Sequence, residues 1–117
     1  MKTFKRVAAQ GDLMLIRIDS LPEGLVPFEP EGEHYVVAHS ETGHNHVMLK
    51  ERVTAHKEPG VEDRDLYKLF LNVEKTTYLE HQRSFDTHET IEVLPGNYML
   101  LRQREYDFTE GYRKAMD

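Results

Sequence analysis

HYVVAHSETGHNHVMLKE, residues 34–51, decides the fold, because two extended apolar runs flank a short polar turn. The run before the turn is rich in β-branched and aromatic residues, which favour strands. Residues 40–43 can form a four-residue loop, in which Gly43 supplies a positive φ at the end. The stretch therefore predicts a β-hairpin with strands over 34–39 and 44–50.

The same alternation of short extended runs and turns continues in both directions along the chain. Pro95-Gly96 is a strong turn signal and predicts a second hairpin between the last two runs. Only residues 110–116 have helical character, with Thr109 as their N-cap. About seven or eight short strands without a long amphipathic helix predict an all-β barrel or sandwich, a single domain over 1–117 with a short C-terminal helix or tail. The predicted extended runs are 12–20, 34–40, 46–56, 66–73, 75–82, 89–95 and 97–106.

The composition of the chain excludes several classes of function. None of its 117 residues is cysteine, which excludes disulfides, thiolate metal sites and cysteine nucleophiles and suits a reducing cytoplasm. The net charge of −6 argues against binding to nucleic acid or to anionic membranes. No apolar run is long enough to span a bilayer, and residues 1–12 contain no signal-peptide core. No glycine-rich nucleotide motif occurs, so we expect no nucleotide cofactor.

Three histidines fall on one face of the predicted hairpin. His39 stands opposite His44 across the pair, and directly opposite residues share a face with Cβ atoms about 5 Å apart. His46 follows two positions after His44 and therefore points to the same side. The same face continues as Val37 and Met48, which could line a barrel interior. Because imidazole clusters of this kind hold transition metals, we predict metal ligands at all three histidines.

Further candidate residues lie near the ends of other predicted strands. His81 ends one strand and His88 opens the next, and either could complete the metal site if those ends meet the hairpin. Gln103 and Arg104 lie in the last run and have two interpretations. They form either a solvated strand end that pairs charges or contacts for an anionic small molecule at the barrel mouth. The sequence alone leaves both questions open.

Two segments resemble the motifs of the cupin superfamily. GHNHVMLKE (43–51) is similar to the first motif, a glycine followed by His-x-His and then Glu, and EVLPGNYMLL (92–101) is similar to the second. The resemblance implies a small cupin-like jelly-roll barrel with a divalent metal inside it. Glu51 needs a bulge to reach the face of His46, and Met99 stands where the second motif has a histidine. The ligands that the resemblance implies are His44, His46 and Glu51.

A second resemblance is to a group of short bacterial and phage proteins. It rests on three segments, HSETGHNH (39–46), LPGNY (94–98) and QREY (103–106). This resemblance implies a prokaryotic or phage origin, and hence the cytoplasm of a bacterial or phage-infected cell as the location.

Two functions from different classes follow from these observations. The first is a cupin-like protein that binds zinc, nickel, iron or copper through its histidine cluster, with catalysis left open. The second is a non-catalytic β-module that acts in oligomeric assembly or protein interaction, with its histidines on the surface or at a subunit interface. Edge strands in so small a chain favour a homodimer. A metal-free cluster would instead make a pH-responsive interface, because protonated imidazoles repel one another.

Overall fold

Two antiparallel sheets enclose the interior of the protein. The structure, a computed structural model, describes residues 2–38, 45–62, 68–82 and 90–102. The strands within these residues are β1 (Val7–Gln10), β2 (Leu13–Ile18), β3 (Val26–Pro27), β4 (His34–Ala38), β5 (His46–Leu49), β6 (Val53–Lys57), β7 (Lys68–Val73), β8 (Thr77–His81), β9 (Ile91–Val93) and β10 (Gly96–Arg102).

The chain crosses between the two sheets several times. The six-stranded sheet has the order β1-β2-β10-β7-β6-β3, and the four-stranded sheet has the order β4-β5-β8-β9. The predicted all-β class is therefore confirmed, and every regular element in the described residues is a strand. Within that part of the chain, no helix is long and apolar enough to cross a membrane. The helix predicted over 110–116 lies outside the described residues.

The opening hairpin is present, with the predicted register over most of its length. β4 and β5 are antiparallel, and Tyr35 stands opposite Met48, as the loop length predicts. The register then shifts by one residue before Ala38, which faces His46. Such an irregularity is typical of a β-bulge, which bends a strand and redirects the side chains beyond it. The hairpin prediction is confirmed up to this shift.

The extended run predicted over 46–56 is two strands rather than one. β5 ends at Leu49 and β6 begins at Val53, and the two strands belong to different sheets. The turn between them is held in place because the Lys50 N–H donates to the Glu33 carbonyl at 3.0 Å. The prediction of one continuous strand is therefore wrong, since a short polar turn carries the chain from one sheet to the other.

The hairpin predicted at Pro95-Gly96 is also wrong in its pairing. β9 pairs with β8, whereas β10 lies between β2 and β7 in the other sheet. Gly96 has a φ of 152°, and a Cβ atom at this position would lie only 2.9 Å from Nη2 of Arg17. The same guanidinium donates to the Pro95 carbonyl at 3.0 Å, and Tyr98 Oη donates to the Leu94 carbonyl at 2.6 Å. These contacts stabilise the segment between β9 and β10, in which the chain crosses from the four-stranded sheet to the six-stranded sheet.

Tyr98 anchors this crossing in the core. Its ring packs edge-on against Phe4 with 5.9 Å between centroids, and the Arg17 guanidinium lies 5.7 Å from its centroid. Burial raises the pKa of Tyr98 above its ordinary value, although the positive charge of Arg17 opposes the rise. The phenol is therefore protonated at neutral pH and is a stable hydrogen-bond donor.

The core lies between the sheets and follows the period-two alternation of the strands. In the six-stranded sheet, Leu15, Leu100 and Leu69 stand opposite one another across β2, β10 and β7. Because directly opposite residues share a face, this row defines the inward side of the sheet. The residues of the hydrophobic core are Ala8, Leu13, Leu15, Phe28, Tyr35, Val37, Ala38, Met48, Val53, Ala55, Leu69, Leu71, Val73, Leu79, Ile91, Val93, Tyr98 and Leu100.

The N-terminal segment joins the two sheets along one side of the molecule. Lys2 forms a bridge to Ile91 of β9, and β1 then pairs with β2 in the other sheet. Ala8 of β1 stands opposite Leu15, so Gln10, two residues further on, also points inward. The sequence does not predict β1, because its two alanines favour strands only weakly. This strand nevertheless places a polar side chain inside the core.

Candidate functional site

A buried polar cluster interrupts the apolar core at one end of the sheets. It consists of Gln10, His46 and His81, which we call the inner polar cluster. Gln10 and His46 are 2% and 5% exposed, respectively, and His81 is half-buried. Burying polar groups costs free energy unless they are hydrogen-bonded, so such a cluster needs a structural or functional reason.

Gln10 reaches across the core from the six-stranded sheet to the four-stranded sheet. Its Nε2 atom donates to the Leu79 carbonyl of β8 at 3.0 Å. Its Oε1 atom lies 2.7 Å from Nδ1 of His46 in β5, which is hydrogen-bond distance. One amide side chain therefore contacts two groups of the opposite sheet and restrains the position of the His46 ring.

His46 and His81 stand directly opposite each other in β5 and β8. Their rings are stacked, with centroids 4.1 Å apart and planes 4° from parallel. A histidine binds a metal through the lone pair in its ring plane, at roughly 2.0–2.1 Å for zinc. An ion in the plane of one stacked ring would lie too far from the plane of the other. One of the two rings can therefore bind an ion as stacked, and the other would have to turn to join it.

The hairpin face that the sequence predicts to be interior does point into the core. His46 and Met48 occupy alternate positions of β5, and Met48 is 0% exposed within the hydrophobic core. The inward orientation of His46 is therefore confirmed by its burial. His39 and His44, which the sequence predicts on the same face, lie outside the described residues.

The remaining predicted site residues are not gathered into this cluster. Glu51 lies in the turn after β5, where 70% of its side chain is exposed and its Oε1 atom is 3.9 Å from Nε of Arg52. Because β5 ends at Leu49, no bulge within the strand returns Glu51 to the inward face. Among the described residues, no three His, Cys, Asp or Glu side chains could hold one metal ion. The predicted site residues outside the described ranges are His39, His44, His88, Gln103 and Arg104.

Several strand ends border the inner polar cluster. Ala38 ends β4 in the pair with β5. The Gln82 N–H, just beyond β8, donates to the Asn45 carbonyl, just before β5, at 2.8 Å. Arg102 ends β10 at the same end of the six-stranded sheet as Gln10, since both stand level with the start of β2. The described ends of β4, β8 and β10 thus lie at the same end of the two sheets as the cluster.

Gln10 is the member of the cluster that the sequence does not predict. Its local signal is weak, because it follows two alanines and precedes Gly11. Alternation from Ala8 would place it on an inward face only once β1 is known to be a strand. His81 is a sequence-predicted candidate, but its position opposite His46 depends on the pairing of β5 with β8, which no local pattern reveals.

These features define a small all-β protein in which two facing antiparallel sheets bury a Gln–His–His cluster at one end. The chain belongs to the family described as domain of unknown function DUF8820, whose model matches residues 9–103 of the 117. The matched region contains all three residues of the inner polar cluster. No curated protein and no solved structure matches the chain.

Proposed function

We propose that this domain binds a divalent transition-metal ion through histidine nitrogens, with His46 as the interior ligand. The observation that carries the proposal is the 2.7 Å contact between Nδ1 of His46 and Oε1 of Gln10, two side chains that are 5% and 2% exposed. Metal-binding histidines almost always engage their second nitrogen in such a contact, which orients the ring toward the ion. The contact therefore supports a His46 ring whose orientation is fixed before a metal ion binds.

The remaining ligands in this proposal come from the predicted histidine cluster. His39 and His44 are the first candidates, since the sequence predicts both on the inward face. His88 is a further candidate, as is His81 once its ring turns out of the stack. Neutral nitrogen donors favour zinc, nickel, iron or copper over magnesium or calcium. Glu51 joins the set only if its exposed turn rearranges.

The proposed metal site agrees with only one of the two motifs that resemble the cupin superfamily. His46 belongs to the first motif and faces the interior, which is the side where the resemblance implies a metal. Met99 of the second motif stands opposite Ile16 and Phe70 on the outward face of the six-stranded sheet. The metal site proposed here therefore uses the first motif and takes no ligand from the second.

The proposal covers binding and assigns no reaction. Gln103 and Arg104 stay predicted contacts for an anionic small molecule. The cytoplasm of a bacterial or phage-infected cell, suggested by the absence of cysteine and by the second resemblance, belongs to the same proposal. So does the expectation that the acidic domain binds neither nucleic acid nor membranes.

Zinc or nickel is expected to raise the melting temperature of the untagged protein by several degrees, and a chelator should reverse the rise. A ligand that binds only the folded state adds about 2.7 kcal/mol of stability when its concentration is 100 times Kd. Elemental analysis of the purified protein should find a bound transition metal. His46→Ala should abolish both the bound metal and the thermal shift, because it removes the interior ligand.

His56→Ala is the matched control for this experiment. His56 is a half-buried strand histidine on the outward face of β6, opposite Phe70. The His56→Ala variant should therefore bind metal as the wild type does. His46→Gln, which keeps a polar side chain in the core, separates loss of a ligand from loss of the fold. A wild type that contains no metal and shows no shift with added zinc or nickel would contradict the proposal.

A second candidate function, self-association of the chain, is favoured by one feature of the outward surface. Val7, Ile16, Met99 and Phe70 stand opposite one another across β1, β2, β10 and β7, on the face turned away from the core. Val7 is 43% exposed, Ile16 and Met99 are half-buried, and Phe70 is only 5% exposed, so the accessible part of the row lies on β1, β2 and β10. A single row of side chains across four strands is about 14 Å long at a spacing of roughly 4.8 Å, so its area is far below the ~800 Å² that each partner buries in a stable interface. A homodimer formed by two such faces would be weak.

Light scattering should detect this dimer as a population that rises with protein concentration and does not change with chelator. Met99→Lys should shift it to monomer, because burying an unpaired charge between the two faces is unfavourable. Thr54→Lys is the control, since Thr54 is exposed on the outward face of β6, outside the apolar row. A dimer that dissociates on chelation, or that survives Met99→Lys unchanged, would count against this interface.

A further inference from the structure

We infer that Gln10 is a positioning residue that holds the proton of the neutral His46 ring on Nδ1 and so makes Nε2 the ligand atom. The choice of a metal ion as the ligand rests on the proposed function, whereas the position of the proton does not. Gln10 lies in the six-stranded sheet and His46 in the four-stranded sheet, so the assignment follows from how the two sheets meet.

The Leu79 carbonyl determines the orientation of the Gln10 amide. A carbonyl oxygen carries no proton and can only accept, so the amide nitrogen must be the atom that faces it at 3.0 Å. Reversing the amide would bring two acceptor oxygens together. The Leu79 carbonyl belongs to the backbone of β8, which is paired with β5 on one side and β9 on the other. This acceptor is therefore fixed in place.

The orientation of the amide then determines the proton on His46. Oε1 of Gln10 has no proton to offer, so Nδ1 of His46 must donate across the 2.7 Å contact. A neutral imidazole carries a single N–H, and its other nitrogen keeps the lone pair. Nε2 is therefore the ring atom of His46 that can bind a cation or accept a hydrogen bond.

The stacked ring of His81 restrains His46 further. Turning the His46 ring would break the parallel stack at 4.1 Å and the bond to Gln10 together. The cluster thus presents one nitrogen in one direction, which is the preorganisation that a metal ligand needs. An ionised carboxylate cannot bind directly to this nitrogen, because both atoms are acceptors. The ligand class that fits is a cation with affinity for imidazole nitrogen.

Nitrogen NMR of the metal-free, full-length protein with labelled histidine tests the position of the proton. The spectra are recorded at roughly pH 8.5, about two units above the ordinary histidine pKa. Wild-type His46 should carry its proton on Nδ1. Gln10→Leu removes both amide bonds and should move the proton toward Nε2, whereas Gln10→Glu loses the bond to the Leu79 carbonyl but keeps an acceptor for Nδ1 and should leave the proton there. The tautomer of His56 should be the same in all variants.

Zinc affinity, measured by calorimetry on the same variants, gives a second measurement. Gln10→Leu should weaken zinc binding by about 10- to 100-fold, and Gln10→Glu should restore much of the loss. A proton on Nε2 in wild-type His46, a tautomer unchanged by Gln10→Leu, or zinc affinity unchanged by that substitution overturns the inference. If the proton moves as expected but the wild type binds no zinc, the proposed metal site fails and the proton assignment stands.

Discussion

Leu71→Ala is expected to lower the free energy of unfolding by about 3–5 kcal/mol. Leu71 is 0% exposed in β7, where it stands opposite Ala55 of β6 and Tyr98 of β10. Removing a buried leucine side chain loses its transfer free energy and leaves a cavity, which together cost about 2–5 kcal/mol. We expect the upper part of this range, because strands hydrogen-bonded on both sides of β7 cannot close the cavity. Single domains are stable by only about 5–15 kcal/mol, so the variant should lose a large part of its stability.

Urea unfolding followed by circular dichroism measures this loss as a lower midpoint with an unchanged slope. Leu94→Ala is the matched control, because it makes the same substitution at a side chain that is 44% exposed. Its effect should stay below about 1 kcal/mol, since little apolar surface leaves the interior. Equal losses at the two positions would show that the core does not lie between the two sheets as described.

The sequence alone shows which residues share a face of the longest strands, although it does not show which of the two faces is inward. Leu13 and Leu15 are two positions apart in the extended run 12–20, so they share one face of β2, and both lie in the core. Tyr98 and Leu100 are related in the same way in the run 97–106, and both are buried in β10. Alternation is a property of one strand, because successive side chains point to opposite faces whatever the strand pairs with. Local patterning therefore carries this information.

The choice of partner strands could not be predicted in the same way. A turn signal such as Pro95-Gly96 indicates that the chain changes direction, but it does not state which sheet the next strand enters. Here β9 and β10 enter different sheets, as do β5 and β6. The entropy of closing a loop grows slowly with its length, so distant pairings such as that of β10 with β2 compete with adjacent hairpins. The packing of the whole core decides between them.

The candidate site shows the same division between local and distant information. His46 could be placed on the inward face because it alternates with Met48 within β5. His81 arrives beside it through the pairing of β5 with β8, and Gln10 arrives from the other sheet. The sequence therefore predicts the inward orientation of His46, gives His81 as a candidate without a position, and does not predict Gln10.

Replacing Gln10 and His46 together by leucine is expected to be far less destabilising than the two single replacements predict. Gln10→Leu alone takes a hydrogen-bond partner from the His46 ring and from the Leu79 carbonyl, and His46→Leu alone takes one from the Gln10 amide. Leaving buried polar groups without a partner costs about 1–3 kcal/mol in each single variant. Replacing both members of the Gln10–His46 pair leaves neither of them without its partner, which can be nearly neutral, so the double variant keeps only the loss of the bond to the Leu79 carbonyl.

A double-mutant cycle measured by urea unfolding should therefore give a coupling free energy of about 1–3 kcal/mol. The loss of the His81 stack cancels, because it occurs in both variants that carry His46→Leu, and the loss of the bond to the Leu79 carbonyl cancels, because it occurs in both variants that carry Gln10→Leu. Asn72 and Asn97, whose side chains bond at 2.9 Å in a partly exposed position, provide the control cycle, for which we expect a smaller coupling. A double variant less stable than either single variant would make the cluster a stabilising element of the core. A double variant that is as stable as the wild type but binds no metal would show that the core retains these polar groups for binding.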